Sequence, residues 1–405
     1  MSFGLGEFTI KLRNSFGSLL LAVLLFSGCD ARQKDAQEQS SVCGKGKASS
    51  ALNGLFWLMG EPTGANVLCS VQGGEYRSVQ VLAPESRDPI LLKDISTKQT
   101  LLVERFSGSA ARSSRATLYA PTADVLMQRG NWPQNVYSVL RVSDSQAIVT
   151  GFDFADLRRF NWSNNQSEAL IVSEAPLFQP SQLNPILTLR RGEWLATVDS
   201  GFDLKRFSAK TVRALVFREA APETLNEKKL VDSKQNLECQ NAFQFLLLSS
   251  SSAIVSCNPQ YFGAVEGEKV GVFHIELAEQ GELVVRALLS RNANEVQKID
   301  LWGLSPSGES VFVGLKRTTV DDYNGTIVQS GWISWRDGAF TSESRFAGPV
   351  SALSAGSFVC SCQQDSESCG AGDFLLVDEA SVTRTLLRRE STLPFLSFAV
   401  DIPPP

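Results

Sequence analysis

A segment written twice constrains this 405-residue chain more than any other feature. The first copy reads Asp156-Leu157-Arg158-Arg159-Phe160, followed by Ala169-Leu170-Ile171-Val172-Ser173-Glu174-Ala175. The second reads Asp203-Leu204-Lys205-Arg206-Phe207, followed by Ala214-Leu215-Val216-Phe217-Arg218-Glu219-Ala220. The offset is about 47 residues at the Asp and Phe positions and about 45 at the closing Glu-Ala, so a short gap in one hairpin reconciles the copies. Val, Phe, Leu, Ser and Thr crowd into short runs bounded by Gly, Pro, Asn and Asp, the pattern of strands and turns. A period of about 40 to 50 residues made of several short strands is that of propeller blades.

A recurring hairpin marks the blades. An apolar strand ends at a small-residue turn and a second apolar strand follows at 139–150, 186–198, 245–257, 301–314 and 350–362. The strands expected before residue 135 are 55–60, 67–71 and 79–83, then 101–106, 116–120 and 125–128, enough for two more blades. At about 50 residues each, the chain after residue 50 divides into about seven four-stranded blades, with six and eight as the alternatives. The expectation is therefore an all-β chain with one propeller over residues 51–402. The run Phe395 to Ile402 reads as a closing strand that completes a blade supplied mostly by the other terminus, with Pro403-Pro404-Pro405 as a stiff tail.

The turn Leu304-Ser305-Pro306-Ser307-Gly308-Glu309, followed by Val311-Phe312-Val313, resembles the Ser-Pro-Asp-Gly hairpin of WD-like and related bacterial propeller repeats, with Ser307 in place of Asp. Pro306 presets the turn and Gly308 supplies a positive backbone angle. The Gly-His and Trp-Asp signatures of true WD repeats are missing, so the resemblance implies the architecture and no named family.

Lys11 and Arg13 precede the apolar run 16–26, which is too short to span a bilayer. It ends in Phe26-Ser27-Gly28-Cys29, which resembles the lipobox of bacterial lipoproteins, with Phe26 where Leu is usual. The resemblance implies a signal peptide over 1–28, lipid attachment at Cys29, and anchoring in the bacterial cell envelope, periplasmic or surface-exposed. Asp30 resembles an inner-membrane retention signal that does not transfer between bacterial groups, so the choice of membrane stays open. Residues 29–50 are polar and poor in groups to bury, a flexible tether. The net charge of −5 argues against nucleic acid, which needs a concentrated basic surface.

With Cys29 reserved for lipid, seven cysteines remain, and disulfides are the expectation in an oxidising envelope. Cys239 with Cys257 would close a loop around strand 243–248, Cys362 with Cys369 would staple a hairpin, and Cys43 with Cys69 would pin the tether to the first blade. Cys360 is then left over. Either Cys360 or Cys362 could be the bonded one, and Cys43 with Cys360 is a competing pair. Zinc on Cys360, Cys362 and Cys369 lacks a Cys-x-x-Cys pair and a fourth ligand.

No catalytic set, cofactor site or metal site emerges. The single histidine, His274, sits in an alternating strand on a polar or partly buried face, which excludes histidine-clustered zinc sites and weakens any charge relay. Asp321-Asp322-Tyr323-Asn324-Gly325 reads as a hairpin ending in Asn-Gly rather than a calcium loop. Arg158, Arg159, Lys205 and Arg206 would offer forked or cationic donors to a carboxylate or phosphate, although repetition itself favours a structural role. Trp332 and Trp335 lie three apart on opposite faces, one to pack between blades and one free to stack on sugar or peptide. The sequence therefore points to a lipid-anchored module that binds or scaffolds an envelope protein or polymer. The alternative is a hydrolase or lyase working from the central funnel.

Overall fold

The computed structural model describes residues 42–402 apart from 61–64, 107–113, 152–156, 171–184, 204–207, 259–267, 379–382, 388–394 and several stretches of one to three residues. Seven antiparallel four-stranded sheets form the blades of one propeller. In blades 2 to 7 the first strand is innermost and the chain meanders outward. These inner strands are Ser86–Asp94, Val136–Arg141, Pro185–Arg191, Ala242–Ser249, Lys298–Leu304 and Val350–Ser354.

Each apolar-turn-apolar hairpin read from the sequence is the inner pair of a blade: 139–150 in blade 3, then 186–198, 245–257, 301–314 and 350–362 in blades 4 to 7. The alternation that makes them strands also explains their packing, because both faces of a blade are covered by neighbours. Leu157 and Phe160 lie three apart on one strand, and both are buried in different seams. Leu157 joins the core between blades 3, 4 and 5, while Phe160 joins the core between blades 2 and 3. In the Ser305–Gly308 turn the Gly308 amide donates to the Ser305 carbonyl at 2.8 Å, and Gly308 has φ +71°.

The duplicated segment is not a structural repeat. Arg158 and Arg159 lie on the third strand of blade 3, Leu157–Asn161, whereas Phe202–Asp203 pairs with Ser208–Ala209 in a small hairpin inserted before the third strand of blade 4, Arg213–Arg218. Ala169 ends an outer strand while Ala214 lies in a third strand. The similar letters serve different positions, and the period they suggested comes instead from the inner hairpins.

Closure joins the two ends of the chain. Blade 1 consists of Phe56–Gly60, Asn66–Gln72 and Glu75–Val81, with Phe395–Phe398 as its innermost strand. The closing strand pairs antiparallel with Phe56–Gly60, setting Phe398 opposite Trp57. The run expected as one strand divides at Ala399. Val400–Ile402 leaves blade 1 and pairs parallel with Leu92–Asp94 of blade 2, making that sheet five-stranded.

Disulfides join Cys43 to Cys69, Cys239 to Cys257 and Cys362 to Cys369, and Cys360 is a buried free thiol. Cys43 therefore ties the segment before blade 1 to Asn66–Gln72 rather than to the last blade. Cys29 and most of the 29–50 tether lie outside the described residues. Among the described residues no helix is long and apolar enough to cross a membrane.

Candidate functional site

The meander gives the ring two unlike faces. Turns between first and second strands are tight, as at Gly192-Glu193 in blade 4 and Ser250-Ser251 in blade 5. The other face carries every connection from second to third strand and from one blade to the next. Its longer described segments include 230–241 and 362–373. Both disulfides Cys239–Cys257 and Cys362–Cys369 brace this loop-rich face.

A cavity of about 260 Å³ lies in the channel among the inner strands of blades 5, 6 and 7 and the C-terminal segment. Gln244, Leu246, Asp300, Trp302, Gln363 and Phe398 are among its lining residues. Asp300 stands near the start of an inner strand, almost wholly buried. Its carboxylate meets Lys316 Nζ at 2.7 Å and Lys298 Nζ at 3.3 Å, and it accepts a bond from Gln244 Nε2 at 3.3 Å. Gln244 Oε1 accepts the Leu301 amide at 2.7 Å, and Lys316 donates onward to Gln363 Oε1 at 3.2 Å. A buried carboxylate needs such partners. Here it obtains two ammonium groups and an amide, which hold it as an ion-pair anchor. What the cavity offers a ligand is the exposed Gln363 amide group and a wall of mixed polar and apolar surface.

The sequence-derived candidates do not meet at this cavity. Arg159 pairs across the seam with Glu219 of blade 4, and Arg158 Nε donates to Ser167 Oγ at 2.7 Å. Lys205 and Arg206 lie outside the described residues. The forks of the described arginines are thus turned to this chain's own groups. His274 is buried between blades 5 and 6, its ring 5.5 Å from that of Trp335, and burial, helped by Arg286, lowers its pKa. Neither tryptophan of the 331–335 run stands free. Trp332 packs on Phe312 and Phe358, while Trp335 Nε1 donates to the Gly308 carbonyl at 2.7 Å. Asp322 accepts the Gly325 amide at 3.0 Å, and Asp321, Tyr323 and Asn324 lie outside the described residues. Among the described residues no group of three or more His, Cys, Asp and Glu side chains is placed to hold a metal ion.

Gln244, Asp300, Lys316 and Gln363 escaped the sequence reading because each sits alone on its own segment. The one local signal was a charge, Asp300, in the otherwise apolar inner strand that begins at Lys298.

No family model matches the chain, and no curated protein matches it. Among solved structures it is similar to a quinonprotein alcohol dehydrogenase-like protein from Bacteroides thetaiotaomicron, at 10% identity over 85% of this chain and 78% of that one, with a TM-score of 0.47. An uncharacterized protein from Listeria monocytogenes is 9% identical over 86% of this chain and 96% of its own, with a TM-score of 0.45. A chain of the nidogen–laminin complex is 10% identical over 71% and 92%, with a TM-score of 0.40. None of these similarities carries an argument about activity, ligand or partner. The chain's own geometry defines its class: an all-β, seven-bladed propeller with a disulfide-braced loop face and its C-terminal strand in the channel.

Proposed function

We propose that the protein is a lipid-anchored propeller of the bacterial cell envelope whose loop-rich face binds an envelope protein or polymer. The observation that carries the reading is the state of Asp300. The carboxylate in the cavity wall is engaged by Lys298, Lys316 and Gln244, leaving the Gln363 amide and a mixed polar and apolar wall to hold a ligand. A hydrolase or lyase working from the same funnel needs an acid or base whose contacts are made with substrate, whereas the Asp300 contacts are made with this chain's own Lys298, Lys316 and Gln244. Three disulfides suit an oxidising compartment, and the lipobox-like Phe26–Cys29 supplies the tether.

Photo-crosslinking in the native envelope tests this. A crosslinking residue replaces Glu367 or Lys234 on the loop-rich face, or Glu279 or Asp337 on the tight-turn face, in the wild-type chain and in Cys29→Ala. The expected result is one stoichiometric adduct from the loop-rich positions, absent from the tight-turn positions and weakened when the tether is removed. Adducts from both faces alike, or from neither, refute the scaffold reading and direct attention to glycans and small substrates in the funnel.

A further inference from the structure

The innermost strand of every blade presents a sheet edge to the channel, and an unpaired edge is a row of exposed donors and acceptors. On blades 3 to 7 no strand pairs with that edge among the described residues. On blade 1 the innermost position belongs to the closing strand itself. On blade 2 the edge is taken: Val400, Asp401 and Ile402 stand opposite Leu92, Lys93 and Asp94 in the one parallel pairing between named strands. The same three residues lie against the inner strands of blades 5 and 6, so the segment bridges the channel. At the same level Lys93 Nζ donates to the Ala352 carbonyl of blade 7 at 3.2 Å.

Ring closure does not depend on this segment. Phe395–Phe398 completes blade 1 by its own antiparallel ladder, and Ala399, whose amide donates to the Phe56 carbonyl at 3.3 Å, separates the two pairings. Closure and channel filling are two devices in series, and the second is held to blade 2 by a ladder only three residues long.

We propose that the Leu91–Asp94 edge of blade 2 is a strand-acceptor site, occupied in cis by Val400–Ile402, whose ligand class is an extended peptide running parallel to the inner strand. Main-chain pairing of this kind recognises an extended backbone first and its side chains second. The cis strand wins over a free peptide because its tether gives it a millimolar effective concentration. Leu396 to Val400 also wall the mouth cavity, so release of the strand widens that cavity as it frees the edge. This inference is independent of the envelope partner proposed above.

Amide exchange reads the site directly. The Asp94 amide donates to the Gln99 carbonyl on the far side of its strand, so alternation turns the Lys93 amide toward Val400 of the cis strand. The full chain carrying Val400→Pro and Ile402→Pro loses donors in two of the three ladder positions. Exchange at Lys93 should then rise about tenfold or more over wild type while the rest of blade 2 stays protected. An acetylated peptide with the sequence of residues 399–405, at millimolar concentration, should slow that exchange again in the variant and leave wild type unchanged. The same peptide with proline at the two positions should do nothing. Unchanged exchange in the variant, no slowing by the peptide, or equal slowing by the proline peptide each overturns the proposal. Should the variant fail to fold, wild type decides: Lys93 must exchange faster than Leu102 in the adjacent strand, and exchange only through global unfolding overturns the proposal.

Discussion

Truncating Phe398 to alanine tests whether the ring is held shut at the seam between blades 7 and 1. Phe398 is 4% exposed. Its ring centroid lies 5.4 Å from that of Phe374 in blade 7 and 4.7 Å from that of Phe395. Trp57 stands opposite it in the ladder and meets Phe374 edge-on at 5.5 Å. Removing a buried phenylalanine side chain costs about 3–5 kcal/mol, of which each lost aromatic pair accounts for about 0.5–1.5. Phe395 beside it is only half buried and can settle into the gap, so the lower end applies, about 3 kcal/mol. That is a large fraction of a typical stability of about 5–15 kcal/mol. Leu396 is the internal control: it lies on the same strand at 43% exposure, and Leu396→Ala should cost about 0.5 kcal/mol or less. Equilibrium urea unfolding, followed by tryptophan fluorescence and circular dichroism together, should show the Phe398→Ala midpoint shifted at unchanged slope. Equal losses for the two substitutions would refute the argument, because closure would then owe nothing to the aromatic seam.

Three further outcomes are expected. Replacing Cys239 and Cys257 together by alanine should cost about 3 kcal/mol and replacing Cys362 and Cys369 about 2.5, because the former pair closes the longer loop, with a separation of 18 against 7; reversed order in urea unfolding contradicts this. Burial raises the Cys360 thiol well above its usual range, so mass spectrometry should find it unmodified by iodoacetamide at about pH 8 in the native chain and alkylated once denatured. His274 is held neutral when folded, so its contribution is complete above the ordinary histidine value of 6.5 and is lost as pH falls below that value toward the lowered folded one. His274→Phe should flatten the stability loss from about pH 7 to about pH 5, and an unchanged slope in urea titrations counts against it.

The architecture was legible in the sequence wherever a local pattern decides structure. Inner hairpins such as 245–257 announce themselves because two apolar strands flank a small-residue turn. The disulfides were legible in part: the three pairs formed join cysteines at short separation, 26, 18 and 7 residues apart, but the choice between Cys360 and Cys362, and against Cys43 with Cys360, depends on which side chains the blades bring together. Two features were not. The run Phe395 to Ile402 stays largely apolar throughout, and nothing in it signals that Ala399 hands the chain from blade 1 to blade 2. The cavity wall draws Gln244, Asp300 and Gln363 from three blades, with Lys316 tying Asp300 to Gln363 behind it, and convergence across seams is a property of the ring and not of any one segment.

The misleading pull of the Asp-Leu-Arg-Arg-Phe segment has a physical cause that extends around the ring. Blades pack through apolar faces, which set no unique register between neighbours, and polar bonds across each seam supply one. Gln80 reaches Glu104 between blades 1 and 2, Arg141 meets Asp94 between 2 and 3, and Arg159 meets Glu219 between 3 and 4. Arg191 pairs with Glu276 between 4 and 5, Gln244 bonds Asp300 between 5 and 6, and Lys316 bonds Gln363 between 6 and 7. Tyr76 reaches the Leu386 carbonyl at the seam where the ring closes. A charged cluster in this chain is therefore first a candidate seam bond, as Arg159 proved to be. Backbone edges in the channel are the polar groups that this scheme leaves over, and the chain commits a strand of its own, Val400–Ile402, to covering one of them. The binding reading proposed above is accordingly to be tested at the channel and loop-rich mouth before any basic stripe on the blades.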